Sequence, residues 1–96
     1  MNPRFSRGGR VRVRDNVAHG HVRTPLYIRG KRGMVERVCG AYRNPEELAY
    51  GRWDGRLIPL YRVRFAAAEV WRNFNGSPLD TIDVEIYEHW LDADAQ

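Results

Sequence analysis

Ninety-six residues, 43% hydrophobic and 29% charged, describe one globular domain with a thin core, because a chain this short buries only about 60–65% of its extended surface. The net charge of +4 leaves open an anionic partner, and the single cysteine, Cys39, excludes an internal disulfide and a cysteine-built metal site within the chain. No window approaches the ~20 apolar residues of a membrane span, and the start MNPRFSRGG lacks the apolar stretch of a secretory leader, so a soluble, cytoplasmic protein is expected.

In chain order, residues 1–8 read as an arm, disordered or held by a partner, ahead of a domain over 9–92 and a tail over 93–96. RVRVRD (10–15) alternates valine with arginine, the period of a half-buried strand. GHVRTPLYIRGKRG (20–33) is a basic loop between glycines. GMVERVCG (33–40) is a second strand with imperfect alternation. Asn44-Pro45 before EELAY predicts a short helical turn, with an N-capping side chain, proline at the first helical position and acids in the first turn. PLYRVRFA (59–66) turns Tyr61, Val63 and Phe65 inward and Arg62 and Arg64 outward. AAAEVW (66–71) predicts another short helix, and TIDVEIYEHWL (81–91) a last strand with Ile82, Val84 and Ile86 inside. The fold class is therefore all-β: a small, strongly bent barrel of SH3-like type with one or two short helical turns, since a sandwich would want about seven strands.

Charge is divided along the chain. Residues 1–43 hold ten arginines and Lys31 against Asp15 and Glu36, a net +9, whereas residues 44–96 hold five arginines against ten acids, a net −5. Arginine is the cation whose planar fork binds oxyanions bidentately, so its dominance in the basic half points to anionic oxygen as the target. His19 and His21 would share a strand face, but no nearby histidine or cysteine completes a metal site. No nucleophile elbow, zinc-protease helix, phosphate loop or calcium loop is present. Asp80, Asp83, Glu85 and Glu88 read as a solvated face or ion-pair row, and the chain alone does not read as an enzyme. Trp53, Trp71 and Trp90 are candidates for burial by a partner, with core packing equally open for Trp71 and Trp90. GKRGMVERV is similar to the basic turn of KOW-type RNA-binding barrels, although the inward aromatics leave no evident stacking platform.

GHVRTPLYIRGKRG, then LYRVRFAAAEVW, then VEIYEHWL together resemble the C-terminal region of nitrile hydratase β subunits, whose blocks read G-H-T-R-x-P-x-Y-x-R-G-K-x-G, Y-x-V-x-F-x-x-x-E-L-W and D-x-W-E-x-Y-L. The resemblance extends over residues 9–92. It implies a heteromeric hydro-lyase that adds water to a nitrile to give the amide, with this chain as the subunit without the metal. The metal, cobalt(III) with iron(III) as the alternative, would sit in a partner subunit on a Cys-x-x-Cys-Ser-x-Cys claw with oxidised cysteines, and this chain would bind no cofactor itself. By the match, Arg23 is the first candidate to hydrogen-bond the oxidised sulfurs, Arg29 the second, as a further donor or a structural ion pair, and His21 an orienting group. Anionic sulfur oxygens in a partly dry interface need such a cation, because an uncompensated buried charge costs several kcal/mol.

Departures from the pattern are EVWRN at 69–73, where E-L-W-G is usual, and Cys39 where a histidine usually precedes the glycine. Family β subunits also carry a helical N-terminal half, expected here as a separate polypeptide, as in three-chain thiocyanate hydrolase and toyocamycin nitrile hydratase. Toyocamycin-type hydration is preferred, thiocyanate hydrolysis is its nearest variant, and RNA binding is the rival class.

Overall fold

The computed structural model describes residues 2–15, 26–43 and 57–94. Their strands are β1 (Arg10–Val13), β2 (Arg32–Arg43), β3 (Leu57–Ala66), β4 (Thr81–Tyr87) and β5 (Leu91–Ala93), with one helical turn, α1 (Ala67–Val70), and 3-10 turns at Leu26–Ile28 and Glu88–Trp90. They form a single antiparallel sheet in the order β4-β3-β2-β1-β5.

The two edge strands, β4 and β5, are consecutive in sequence and separated only by the turn Glu88–Trp90. In a flat sheet four strand gaps would hold them about 19 Å apart, whereas the four Cα steps from Tyr87 to Leu91 reach at most about 14 Å. The sheet must curl, and the all-β, barrel-like architecture expected from the alternation is the one adopted.

Alternation sets the inner face. Val11, Val13, Val35, Tyr61, Val63, Phe65, Ile86, Trp90 and Leu91 form one buried cluster, joined by Ile28 from the loop before β2 and by Val70 from α1. Within α1, Ala67 and Val70 are buried and lie three apart, the spacing that puts two helical residues on one face. Outward positions of β3 and β4 pair by charge: Arg62 lies opposite Glu85 and Arg64 opposite Asp83.

Two sequence readings change and one open reading is resolved. The second strand runs over Arg32–Arg43, well beyond 33–40, and its register slips between Val35 and Arg37 and again between Val38 and Gly40. Each slip inserts one unpaired residue and sharpens the bend, which is why strict alternation fails there. Gly40, at φ 116°, occupies backbone space that other residues rarely adopt. The expected strand over 81–91 breaks after Tyr87, because Trp90 and Leu91 are both buried and adjacent positions of a strand cannot share a face. Trp90, 5% exposed, is a core residue.

The described part of the N-terminal segment docks on its own barrel. Gly8 N–H donates to Val35 O (2.8 Å) and Val35 N–H to Gly9 O (2.9 Å), and the Phe5 ring meets Tyr61 edge-on at 5.5 Å. At the other end β5 reaches Ala93, and Asp94 N–H donates to Arg10 O at 3.0 Å. The helical turn expected at Asn44–Tyr50 lies outside the described residues.

Candidate functional site: the arginine loop and its flanks

The site grows from the loop that leads into β2. Ile28, fully buried, plugs it into the core. Behind it Lys31 N–H donates to Ile28 O (3.0 Å), Gly30 N–H to Val13 O (2.9 Å), and Arg12 Nε to Gly30 O (3.2 Å). Gly30 sits at φ 78°, the left-handed conformation that lets the chain reverse here without a Cβ penalty. A buried plug, two backbone hydrogen bonds and one from the Arg12 side chain make this stretch a rigid base.

Arg29 rises from that base. It is half-buried, and its guanidinium carbon lies 5.3 Å from the centroid of the Trp90 ring. A guanidinium over an indole face gains cation–π attraction and is held in one orientation by the ring. Arg29, a sequence candidate, is thus placed on the core of its own chain through Trp90. Arg23 and His21, the other two candidates, lie outside the described residues, as do His19 and Trp53.

Beside Arg29, Tyr27 points to the surface. Its ring stacks on Trp71 at 6.0 Å with 11° between planes, and Trp71 in turn stacks on Phe74 at 6.5 Å and 25°. Tyr27 is 48% and Trp71 44% exposed, so this is an external stack. Sequence reading singled out Trp71 but missed the stack, because its members come from two segments some forty residues apart and no local period joins them.

Several of the described arginines are held in ion pairs. Arg14 pairs with Asp92 at 3.0 Å, Arg62 with Glu85 at 3.0 Å, and Arg64 with Asp83 through two hydrogen bonds of 2.9 and 3.0 Å. The hydrogen bond from Arg64, its charge adding to the effect, holds the Asp83 carboxyl below the usual aspartate range. The acids 83 and 85 are therefore an ion-pair row, the arrangement anticipated for them. That pairing offsets the charge of Arg62 and Arg64 on the β3–β4 face.

A second polar cluster lies under the N-terminal segment. Tyr61, fully buried, donates its hydroxyl hydrogen to Glu88 Oε2 at 2.6 Å and accepts from Phe5 N–H at 3.2 Å; Arg4 N–H donates to the same carboxylate oxygen at 2.8 Å. Burial, and then the hydrogen bond to Glu88, push the Tyr61 phenol up to about 12. A phenol held neutral in this way is suited to bracing the segment and unsuited to proton transfer near neutral pH.

Two open cavities adjoin these clusters. One, about 430 Å³, is bordered by Arg10, Arg32, Met34, Arg64, Glu69 and Asp94; the other, about 330 Å³, by Arg4, Arg14, Leu57, Ile58, Glu88 and His89. Neither holds a nucleophile beside a base. Among the described residues no three histidine, cysteine or carboxylate side chains converge on a point that would bind a metal, and Cys39 is half-buried as a free thiol. Among them, too, no helix is long and apolar enough to cross a membrane. Among the described residues the arrangement offers an oriented guanidinium and exposed aromatic surface, and no metal-ligand cluster.

Comparison with known proteins gives the chain's relatives. Residues 1–93 match the family model described as nitrile hydratase beta subunit, C-terminal. The chain is 37% identical over 94 residues to a nitrile hydratase subunit beta of Rhodococcus erythropolis, covering 95% of this chain and 42% of the relative. It is 34% identical over 92 residues to the cobalt-containing nitrile hydratase subunit beta of Pseudonocardia thermophila, covering 94% and 38%. Among solved structures it superposes with a TM-score of 0.90 and 28% identity on the recombinant apo-enzyme of Thiobacillus thioparus thiocyanate hydrolase, over 97% of this chain and 78% of that one. The chain spans about two fifths of the length of these curated nitrile hydratase relatives.

Proposed function

We propose, from the premise that the chain belongs to the C-terminal family of nitrile hydratase β subunits, that it serves as the β-type barrel of a heteromeric nitrile hydratase and presents arginines to a metal-bearing partner. The observation that carries this reading is a family match over residues 1–93, nearly the whole chain.

The role of each residue follows from chemistry. Arg23 donates from the G-H-x-R segment to oxidised cysteine oxygens of the partner, where a planar cation that does not titrate offsets the anion in a dry setting. Arg29 is a further donor or a brace; its seat over Trp90 at 5.3 Å supports pre-orientation, since its guanidinium does not have to be ordered when the partner arrives. His21 orients Arg23 or a bound water. The metal, when bound in the partner, supplies Lewis acidity toward the nitrile, and relatives named as cobalt-containing support cobalt. No described cluster of this chain fits a metal, so no step at the metal is assigned to its residues. A segment equivalent to the first half of nitrile hydratase β, on this or another polypeptide, completes the substrate pocket.

A second reading is favoured by one observation, the TM-score of 0.90 to thiocyanate hydrolase. Thiocyanate carries a carbon–nitrogen triple bond as nitriles do, so one barrel suits both. Within nitriles, a nucleoside nitrile of the toyocamycin type is the narrower proposal. Cytoplasmic location belongs to the same proposal.

The test is Arg23→Lys in the co-expressed complex, assayed with a nitrile and with thiocyanate. Lysine keeps the charge and loses the fork. Partial metal loading should persist while turnover falls about tenfold or more. Unchanged turnover removes Arg23 from the role, and turnover of thiocyanate alone replaces the first reading with the second.

A further inference from the structure

We propose that the stack Tyr27–Trp71–Phe74, with Leu79 on the adjoining turn, is the apolar anchor by which this chain grips the metal-bearing subunit, a proposal that rests on the nitrile hydratase reading. Burial of these rings, more than charge, seats the arginine loop against its target.

The patch is exposed and apolar. Tyr27 is 48%, Trp71 44% and Leu79 87% exposed, and none of the stacked rings belongs to the core cluster. A tyrosine or tryptophan offers about 150–250 Å² of burial, so these half-covered rings with Leu79 leave roughly 300–400 Å² of apolar surface, the size at which such patches mark a binding face. A chain with so thin a core would gain stability by burying them, and instead it holds them outside.

It is also rigid. Val70, 6% exposed, pins the end of α1, and Trp71 N–H donates to Ala67 O at 3.0 Å. The turn that carries Leu79 is closed by Ser77 N–H on Asp80 Oδ2 (3.1 Å), Leu79 N–H on Ser77 Oγ (3.1 Å) and Asp80 N–H on Ser77 O (3.0 Å). Ala67 N–H, donating to Asp80 O at 2.9 Å, ties that turn to the start of the helix. Gly76 lies against the Phe74 ring with no room for a Cβ. Aromatic groups fixed before contact lose little freedom on docking, and tryptophan, tyrosine and arginine are the residues enriched in interface hot spots; Arg72, exposed, directly follows Trp71.

Continuity identifies the occupant. Tyr27 is two residues from Arg29 and four from Arg23, hence within about 7 and 14 Å of them along the chain. An ordinary protein–protein interface covers about 800 Å² per partner, a disc of roughly 16 Å radius. A partner that places oxidised cysteines on the Arg23 fork therefore reaches Tyr27, and the Trp71 ring stacked on it at 6.0 Å continues that contact. The partner surface this calls for is an apolar groove with anionic oxygens at one rim.

The experiment uses Trp71→p-benzoylphenylalanine in the complex purified from cells that co-express both chains. Irradiation and peptide mass spectrometry should place the adduct on the chain with the Cys-x-x-Cys-Ser-x-Cys sequence. Tyr42, also exposed but near the far end of β2, roughly 30 Å of strand away, is the control position and should give less of it. An adduct to any other segment or chain, the equivalent of the first half of nitrile hydratase β and a second copy of this chain included, to RNA, or to no macromolecule overturns the proposal. In parallel, Trp71→Ala should weaken the Kd for the metal-bearing subunit at least tenfold and leave the melting temperature of this chain alone nearly unchanged. If wild-type chain binds no claw-bearing subunit, the nitrile hydratase reading fails; if it binds and Trp71→Ala binds equally tightly, the anchor alone fails.

Discussion

Tyr61→Phe removes one oxygen from the centre of the fold and leaves the ring in place. That hydroxyl donates to Glu88 Oε2 at 2.6 Å and accepts from Phe5 N–H at 3.2 Å, inside a residue that is fully buried. A hydrogen bond to a charged partner contributes about 1.5–3 kcal/mol net. Glu88 Oε2 keeps its second donor, Arg4 N–H at 2.8 Å, so the carboxylate is not orphaned and the loss should fall near 2 kcal/mol. At roughly 4–8 °C per kcal/mol for a domain of this size, the melting temperature should drop by about 8–16 °C. Hydrogen exchange adds a local readout: the Phe5 amide should lose protection more than the amides of β3. The same hydroxyl predicts a titration. Its folded value, about 12, is above the ordinary tyrosine value of 10.0 because burial and Glu88 favour the neutral phenol. The stability it confers is therefore complete below pH 10 and lost as pH rises toward 12. Ultraviolet titration should show one phenol ionising late in the native protein and absent from the variant. A loss below about 0.5 kcal/mol, with the late phenol still present, would refute the network as described.

Gly33→Ala should destabilise by about 1–3 kcal/mol in urea denaturation, because a Cβ there meets Val63 Cγ1 at 2.7 Å and Arg64 O at 2.9 Å, an overpacked site. Trp90→Ala should cost about 3–5 kcal/mol, since it empties a core position and also removes the ring on which Arg29 rests. Asp83, depressed by Arg64, contributes stability above the ordinary aspartate range that fades as pH falls through its lowered value. Asp83→Asn should therefore flatten the acid limb of the stability profile while leaving the alkaline limb in place.

Strand content was legible in the sequence because alternation is a local signal. Val11 and Val13, and Tyr61, Val63 and Phe65, turn inward as their period demands, and the short helix at 67–70 starts in the alanine run that follows Phe65. Alternation misled where geometry is not local. The slips at Val35/Arg37 and Val38/Gly40 break the period of β2 while pairing with β3 persists, so a long strand reads as a short one. Around Glu88–Trp90 an unbroken run of strand formers hides a turn whose cause is the curl of the whole sheet. The site divides in the same way. Fork-bearing cations in one loop are visible as a motif, whereas the Tyr27–Trp71 stack and the seat of Arg29 on Trp90 arise only when distant segments meet.

The central claim is that this barrel completes a metal-bearing subunit. The most direct measurement is amide formation from a nitrile by that subunit with this chain withheld and then added back at increasing concentration. The account predicts negligible turnover without the chain and a saturable rise with it, reaching one chain per metal centre. Full turnover before the chain is added, or no rise after it, would contradict the account.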